Sequence, residues 1–126
     1  MSDLEARYRA YIDCLNRQDW AELGSFVDAE ATHNGRRLGL AGYRQMLERD
    51  HRDIPDLVFR IDLLLIDPPM IGARLSFDCH PAGSFLGLPV NGRRVAFTEN
   101  VFYRFADGRI AEVWSVIDRA AIEAQL

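Results

Sequence analysis

A chain of 126 residues is long enough to bury one hydrophobic core and too short for two, so a single domain over residues 1–126 is expected. Its 48% hydrophobic and 27% charged content is an ordinary globular balance. A net charge of −4 gives none of the basic footprint of a nucleic-acid or anionic-membrane binder, and a small organic ligand fits better.

The start, Met1-Ser2-Asp3-Leu4-Glu5, has neither the basic residues nor the apolar run of a signal peptide, and no stretch approaches the length of a membrane span. A cytoplasmic protein is expected. Ser2 and Glu5 form a capping-box pattern, and Leu4, Tyr8, Tyr11, Ile12 and Leu15 then recur on one helical face, which predicts a first helix over about residues 3–17. Asp19 and Glu22 repeat the start signal, with Trp20, Leu23, Phe26 and Val27 as the stripe of a shorter second helix. Leu40, Tyr43, Met46, Leu47 and His51 line a third, in which Gly42 is an odd first-turn residue.

From position 56 the period changes to two. Leu57, Phe59, Ile61, Leu63 and Leu65 alternate with Val58, Arg60, Asp62 and Leu64 until Asp67-Pro68-Pro69 turns the chain. Ile71, Ala73, Leu75, Phe77 and Cys79 alternate with polar neighbours in the clearest antiparallel pattern of the chain. Two more strands, about Val95 to Phe105 and Arg109 to Ile117, meet at Asp107-Gly108. Asp118 then stands as N-cap before a short helix at Arg119 to Glu123. Helices first and an antiparallel meander afterwards indicate an α+β fold.

Cys14 and Cys79 are too few and too far apart for a disulfide framework or a metal knuckle, and read as buried free thiols. His33, His51 and His80 lie in different segments and supply no ligand spacing, so no metal is expected. No phosphate loop, nucleotide fingerprint or nucleophile elbow is present, so no cofactor is expected either.

The run Gly83-Ser84-Phe85-Leu86-Gly87-Leu88-Pro89-Val90-Asn91-Gly92, followed by Asp107-Gly108-Arg109-Ile110 and Trp114, resembles the SnoaL-like polyketide cyclases of the nuclear-transport-factor-2-like superfamily. The resemblance rests on a GxFxGxPxxG loop, a hairpin through DGxI and a late Trp, and continues less sharply upstream through Ile54-Pro55-Asp56-Leu57 and His33-Asn34-Gly35. It implies a strongly curved sheet wrapped around three N-terminal helices, a cone enclosing a pocket. In such cyclases an aspartate just after the Trp position protonates a carbonyl oxygen during an intramolecular aldol ring closure, and a histidine on the neighbouring strand assists. Carried over, those positions are Ser115 and Val101, and neither titrates near neutral pH.

Glu99 is the candidate replacement. A three-residue loop at Ala106-Asp107-Gly108 pairs Phe105 with Arg109, Val101 with Val113 and Glu99 with Ser115, which would bring the Glu99 carboxylate to the family's acid position. This register keeps both family positions facing the cavity. A two-residue loop on Asp107-Gly108 would instead pair Val101 with Trp114 and put Glu99 on the opposite face from the partner residues of Val101. The bland role for Glu99 is a solvated carboxylate or a partner of Arg74 or Arg104. His33 heads the segment that lines the cavity mouth in the superfamily and is the second catalytic candidate. Tyr11, Phe26, Val101, Tyr103, Val113 and Ser115 are expected to form the substrate-binding wall. If Val101, Tyr103 and Val113 point inward, Phe102, Trp114 and Val116 point out, an apolar face that predicts a homodimer.

Two functional classes remain open. One is an enzyme, an isomerase or lyase that moves protons on a small apolar carbonyl compound through Glu99. The other is a non-catalytic member of the same fold, binding a hydrophobic ligand or acting as a dimeric interaction module. A cavity holding a buried carboxylate favours the first, and a filled core the second.

Overall fold

The computed structural model describes residues 3–126. Helix α1 spans Asp3–Arg17 and buries Tyr8, Tyr11, Ile12, Cys14 and Leu15 along the stripe that its 3.6-residue spacing predicts. Its predicted cap, Ser2, lies outside the described residues. Ion pairs Arg9–Glu5 and Arg17–Asp13, four residues apart, lie along the exposed face.

The expected second helix does not form. Gln18 takes a positive φ of 54°, a lone 3₁₀ turn follows at Leu23–Ser25, and Val27 already opens strand β1, Val27–His33. Leu23, Phe26 and Val27 are buried as the stripe requires. Pairing decides their backbone: Val27 aligns in parallel with Ile110, whose N–H donates to the Phe26 carbonyl at 2.7 Å. So few apolar positions fit one helical turn or the start of a buried strand equally well.

Asn34 (φ 49°) and Gly35 (φ 80°) then make a two-residue turn into β2, Arg36–Arg37, with His33 opposite Arg36. Helix α2 follows at Gly39–Asp53 and buries Tyr43 and Leu47. Strand β3 begins later than predicted, at Arg60–Asp67, and a register shift between Ile61 and Leu63 reverses its faces. Leu57 and Phe59 are buried ahead of it and Leu64 and Ile66 pack on the core, whereas Leu63 and Leu65 are exposed. Past the turn at Pro68–Pro69, whose peptide bond is cis, β4 (Met70–Cys79) shows the predicted alternation, with Ile71, Ala73, Leu75, Phe77 and Cys79 buried.

Strands β5 (Ser84–Phe85) and β6 (Leu88–Pro89) form a small ribbon apart from the main sheet. Strands β7 (Val95–Ala106) and β8 (Arg109–Ile117) form the long hairpin, and α3 (Arg119–Ala124) closes the chain. As expected, Asp118 caps α3, its carboxylate accepting the Ala121 N–H at 3.1 Å. The curved main sheet has the order β2-β1-β8-β7-β4-β3, antiparallel except for β1 beside β8, and is unclosed. Its concave face carries the single hydrophobic core cluster. Among the described residues no helix is long and apolar enough to cross a membrane.

The hairpin register corrects the expectation. Asp107 (φ 51°) and Gly108 (φ 76°) form a two-residue loop with Ala106 opposite Arg109. One extra residue, Ala111, then bulges between Phe105↔Ile110 and Arg104↔Glu112. Beyond it Val101 lies opposite Ser115, and Glu99 opposite Ile117 rather than Ser115. The bulge restores the facing that the shorter loop alone would reverse, so Glu99, Val101 and Tyr103 still share one face with Val113 and Ser115.

Candidate functional site

Between the concave face and the helices lies a chamber of ≈ 180 Å³. Tyr11 and Leu15 reach it from α1, Tyr43, Met46 and Asp50 from α2, and His33 from the end of β1. The sheet contributes Glu99, Val101, Tyr103, Val113 and Ser115. A smaller chamber of ≈ 60 Å³ is walled by apolar side chains including Ile54, Phe77, Phe85 and Phe97. Asp50, Phe59, Glu99 and Ile117 line both, so two carboxyl groups stand where the polar and the apolar chamber meet.

Ser115 holds the centre. Its hydroxyl is the donor that favours the ionised Glu99 carboxyl, and its Oγ lies 3.3 Å from His33 Nε2. A hydroxyl has one proton to give. When Ser115 donates to an ionised Glu99, His33 must therefore donate Nε2–H to Ser115; when Glu99 is protonated, both bonds can reverse. Asn34 sets this geometry: its Oδ1 accepts the Ser115 N–H at 2.8 Å and its Nδ2 donates to the Ser115 carbonyl at 3.1 Å. Its own N–H donates to the Val113 carbonyl at 2.8 Å. The turn residue after β1 thus fastens His33 beside Ser115.

Burial pushes Glu99 up to about 7; the bond from Ser115 opposes the shift and the charge of Asp50 adds to it. Asp50 is itself raised to about 6, first by burial and then by the charge of Asp53, against the pull of Arg49. No hydrogen bond or ion pair with a described residue holds the Asp50 side chain. His33 is lowered by burial and by the Arg36 charge. Four buried phenols complete the lining and its support. Tyr11 and Tyr43 share a 2.6 Å hydrogen bond, and the Tyr8 hydroxyl donates to that of Tyr103 at 3.1 Å. Burial raises all four, so they stay neutral hydroxyl donors at neutral pH.

Of the residues singled out in the sequence, Glu99, His33, Tyr11, Val101, Tyr103, Val113 and Ser115 all line the larger chamber. Phe26 does not. It lies in the core, its ring 6.3 Å from that of Tyr11 and covered by the Arg7 guanidinium at 4.4 Å. The arginines considered as partners of Glu99 are engaged elsewhere: Arg74 donates to Asn100, and Arg104 pairs with Glu112. Asp50 was not anticipated, although it stands four residues after Met46 and seven after Tyr43, on the stripe that faces the core. His51 packs against Trp20 and Phe59, and His80 pairs with Asp56 at 2.8 Å on the surface. Cys14 and Cys79 are free and buried. Among the described residues no group of three or more metal-ligating side chains comes together.

A family model described as SnoaL-like polyketide cyclase matches residues 5–126. A SnoaL-like polyketide cyclase of known crystal structure, from Agrobacterium tumefaciens, is 54% identical, with a TM-score of 0.97 over 99% of this chain and 98% of that one. TsrD from Streptomyces laurentii (23% identity, TM-score 0.84, 99% and 96% covered) and IdmH from Streptomyces antibioticus (18%, 0.84, 98% and 98%) share the fold. No curated protein matches the chain.

Proposed function

Because the chain belongs to the SnoaL-like polyketide cyclase family, we propose that it is an acid/base enzyme, an isomerase or lyase acting on a small apolar carbonyl compound, with Glu99 as the group that moves the proton. One observation carries the reading. The Glu99 carboxyl, raised to about 7, faces a chamber lined by phenols and apolar groups and is bonded to Ser115 at the family's acid position. A group that titrates near the working pH can take a proton and return it.

In a ring closure, Glu99 as carboxylate takes a proton from a carbon next to a carbonyl. The carbanion attacks a second carbonyl carbon, and Glu99 as acid returns the proton to the oxygen of that carbonyl. One C–H bond and the π bond of the second carbonyl break, one C–C and one O–H bond form, and the enzyme ends as it began. Ser115 steadies the ionised form and His33 supports Ser115. The neutral phenols of Tyr43 and Tyr103 are placed to donate to the developing oxyanion. The apolar chamber behind Phe85 and Phe97 suits the hydrophobic body of the substrate.

The test is Glu99→Gln, which keeps shape and removes the titrating proton. Turnover of a panel of aryl diketones, followed by absorbance, should fall about 100- to 10,000-fold while the melting temperature stays near that of the wild type. Undiminished turnover in Glu99→Gln would overturn the reading.

We propose in addition that the protein is a homodimer through the convex face of its sheet. Leu65, Gly72, Phe102 and Trp114 form one row across β3, β4, β7 and β8, and Leu63, Arg74, Asn100 and Val116 form the next. The exposed fractions are 75% for Leu65, 57% for Phe102, 39% for Trp114, 56% for Leu63 and 71% for Val116. An exposed apolar row from Leu65 to Trp114, flanked by Leu63 and Val116, is covered most economically by a second copy.

A further inference from the structure

Outside the larger chamber lies a groove of ≈ 490 Å³ between the β1–β2 turn and α2. His33 and Met46 line both spaces, so the groove is the vestibule of the site. Its helical wall is Gly42, Gln45, Met46 and Arg49, spaced three, four and seven residues apart and therefore on one face of α2. Its other wall carries Arg36, directly opposite His33 across the turn.

The charge of this groove is selective. On the same two elements, Arg37 pairs with Glu30 and Arg44 with Glu48. The side chains of Arg36 and Arg49 line the groove and make no hydrogen bond or ion pair with any described residue. No carboxylate lines it, in a chain whose net charge is −4. Two unpaired guanidinium groups beside the free amide of Gln45 present planar donors to an anion, a geometry that suits a carboxylate. Gly42 packs closely on Leu38, since a Cβ there would stand 3.2 Å from that of Leu38.

We propose that this groove binds a carboxylate carried by the substrate, held by Arg36 and Arg49, while the apolar body of the same molecule passes His33 and Met46 into the chamber of Glu99. The substrate class becomes that of an apolar carbonyl acid rather than a neutral carbonyl compound. The proposal rests on the acid/base reading of that chamber and adds what orients the substrate within it. Charge at the mouth draws the ligand in carboxylate end outermost, leaving its reacting carbonyl for the inner polar groups.

Isothermal titration with 2-naphthoate, 2-naphthamide and 2-naphthyl phosphate tests it, since the three share one aromatic body. Wild-type protein should bind naphthoate at least about tenfold more tightly than naphthamide, which corresponds to about 1.4 kcal/mol, and added salt should narrow the gap. The double variant Arg36→Gln, Arg49→Gln should bring the ratio to about one without changing the affinity for naphthamide. Arg52→Gln, on the same helix outside this groove, should leave the ratio as it is. Equal binding of naphthoate and naphthamide, no binding of naphthoate, or a preference that survives in the double variant would each overturn the proposal, and tighter binding of the phosphate would overturn the choice of carboxylate. Glu99→Gln should retain the naphthoate preference. An active Glu99→Gln protein that retains it would defeat the acid/base reading alone, and an inactive one lacking charge preference would defeat the vestibule alone.

Discussion

Three influences set the ionisation of Glu99, and they act in different directions. Burial and the charge of Asp50 oppose its ionisation, and the Ser115 hydroxyl favours it. The signs separate these contributions. Asp50→Asn removes a negative charge, so the midpoint of Glu99 should fall below about 7; Ser115→Ala removes a donor to the carboxylate, so the midpoint should rise. Carbon-13 NMR titration of the glutamate carboxyls reads both. In the proposed reaction the base form begins the chemistry, so the acid limb of the activity profile should shift to lower pH in Asp50→Asn and to higher pH in Ser115→Ala. Shifts of the same sign in the two variants would contradict this account. Glu99 thus stands two residues from Val101 on the strand face that lines the chamber with Ser115.

At the scale of elements, the hairpin shows how a backbone irregularity places chemistry. The tight Asp107-Gly108 turn alone would set Trp114 and Val116 on the face of Glu99 and Val101, and the Ala111 bulge brings Val113 and Ser115 there instead. The β1–β2 turn does comparable work for His33. Asn34→Gly keeps a residue that tolerates the positive φ yet loses both amide bonds to Ser115. Urea denaturation should show a loss of about 1–2 kcal/mol, and the His33 ring protons should shift in NMR spectra as the ring loses its fixed place beside Ser115. A variant with wild-type stability and an unmoved His33 would show that the clamp is dispensable.

At the scale of the molecule, the sheet has two occupied faces. The concave one holds the core and the chambers; the convex one presents the Leu65-to-Trp114 and Leu63-to-Val116 rows. Gly72 lets that surface lie flat, since a Cβ there would stand 3.0 Å from the Phe102 ring. A dimer through this face should give twice the 14.4 kDa of one chain by light scattering at micromolar concentration. Phe102→Glu should give one chain's mass, because a desolvated charge in the middle of an apolar interface costs several kcal/mol. Wild-type protein at the mass of one chain would exclude the dimer.

Much of this was legible in the residues alone, because it follows from local periodicity and turn chemistry. The spacing of Tyr8, Tyr11 and Leu15 specified α1, the alternation from Ile71 to Cys79 specified β4, and Asp118 marked the start of α3. The loop from Gly83 to Gly92 with the Asp107-Gly108 hairpin carried the family. Glu99 and His33 were legible as residues that could titrate in a pocket. Tertiary structure alone decided three things. Val27 joined Ile110 in a parallel pairing that local propensity cannot foresee, since the partner is more than eighty residues away. Bulges at Ala111 and near Asp62 set which residues face inward, and one extra residue inverts a period-two pattern without leaving a mark in composition. Asp50 became part of the site because α2 lies across the mouth of the cone, turning a carboxylate on a helical stripe towards Glu99. Periodicity is a property of neighbours along the chain, whereas a shared proton, a parallel pairing and a cavity are properties of neighbours in space.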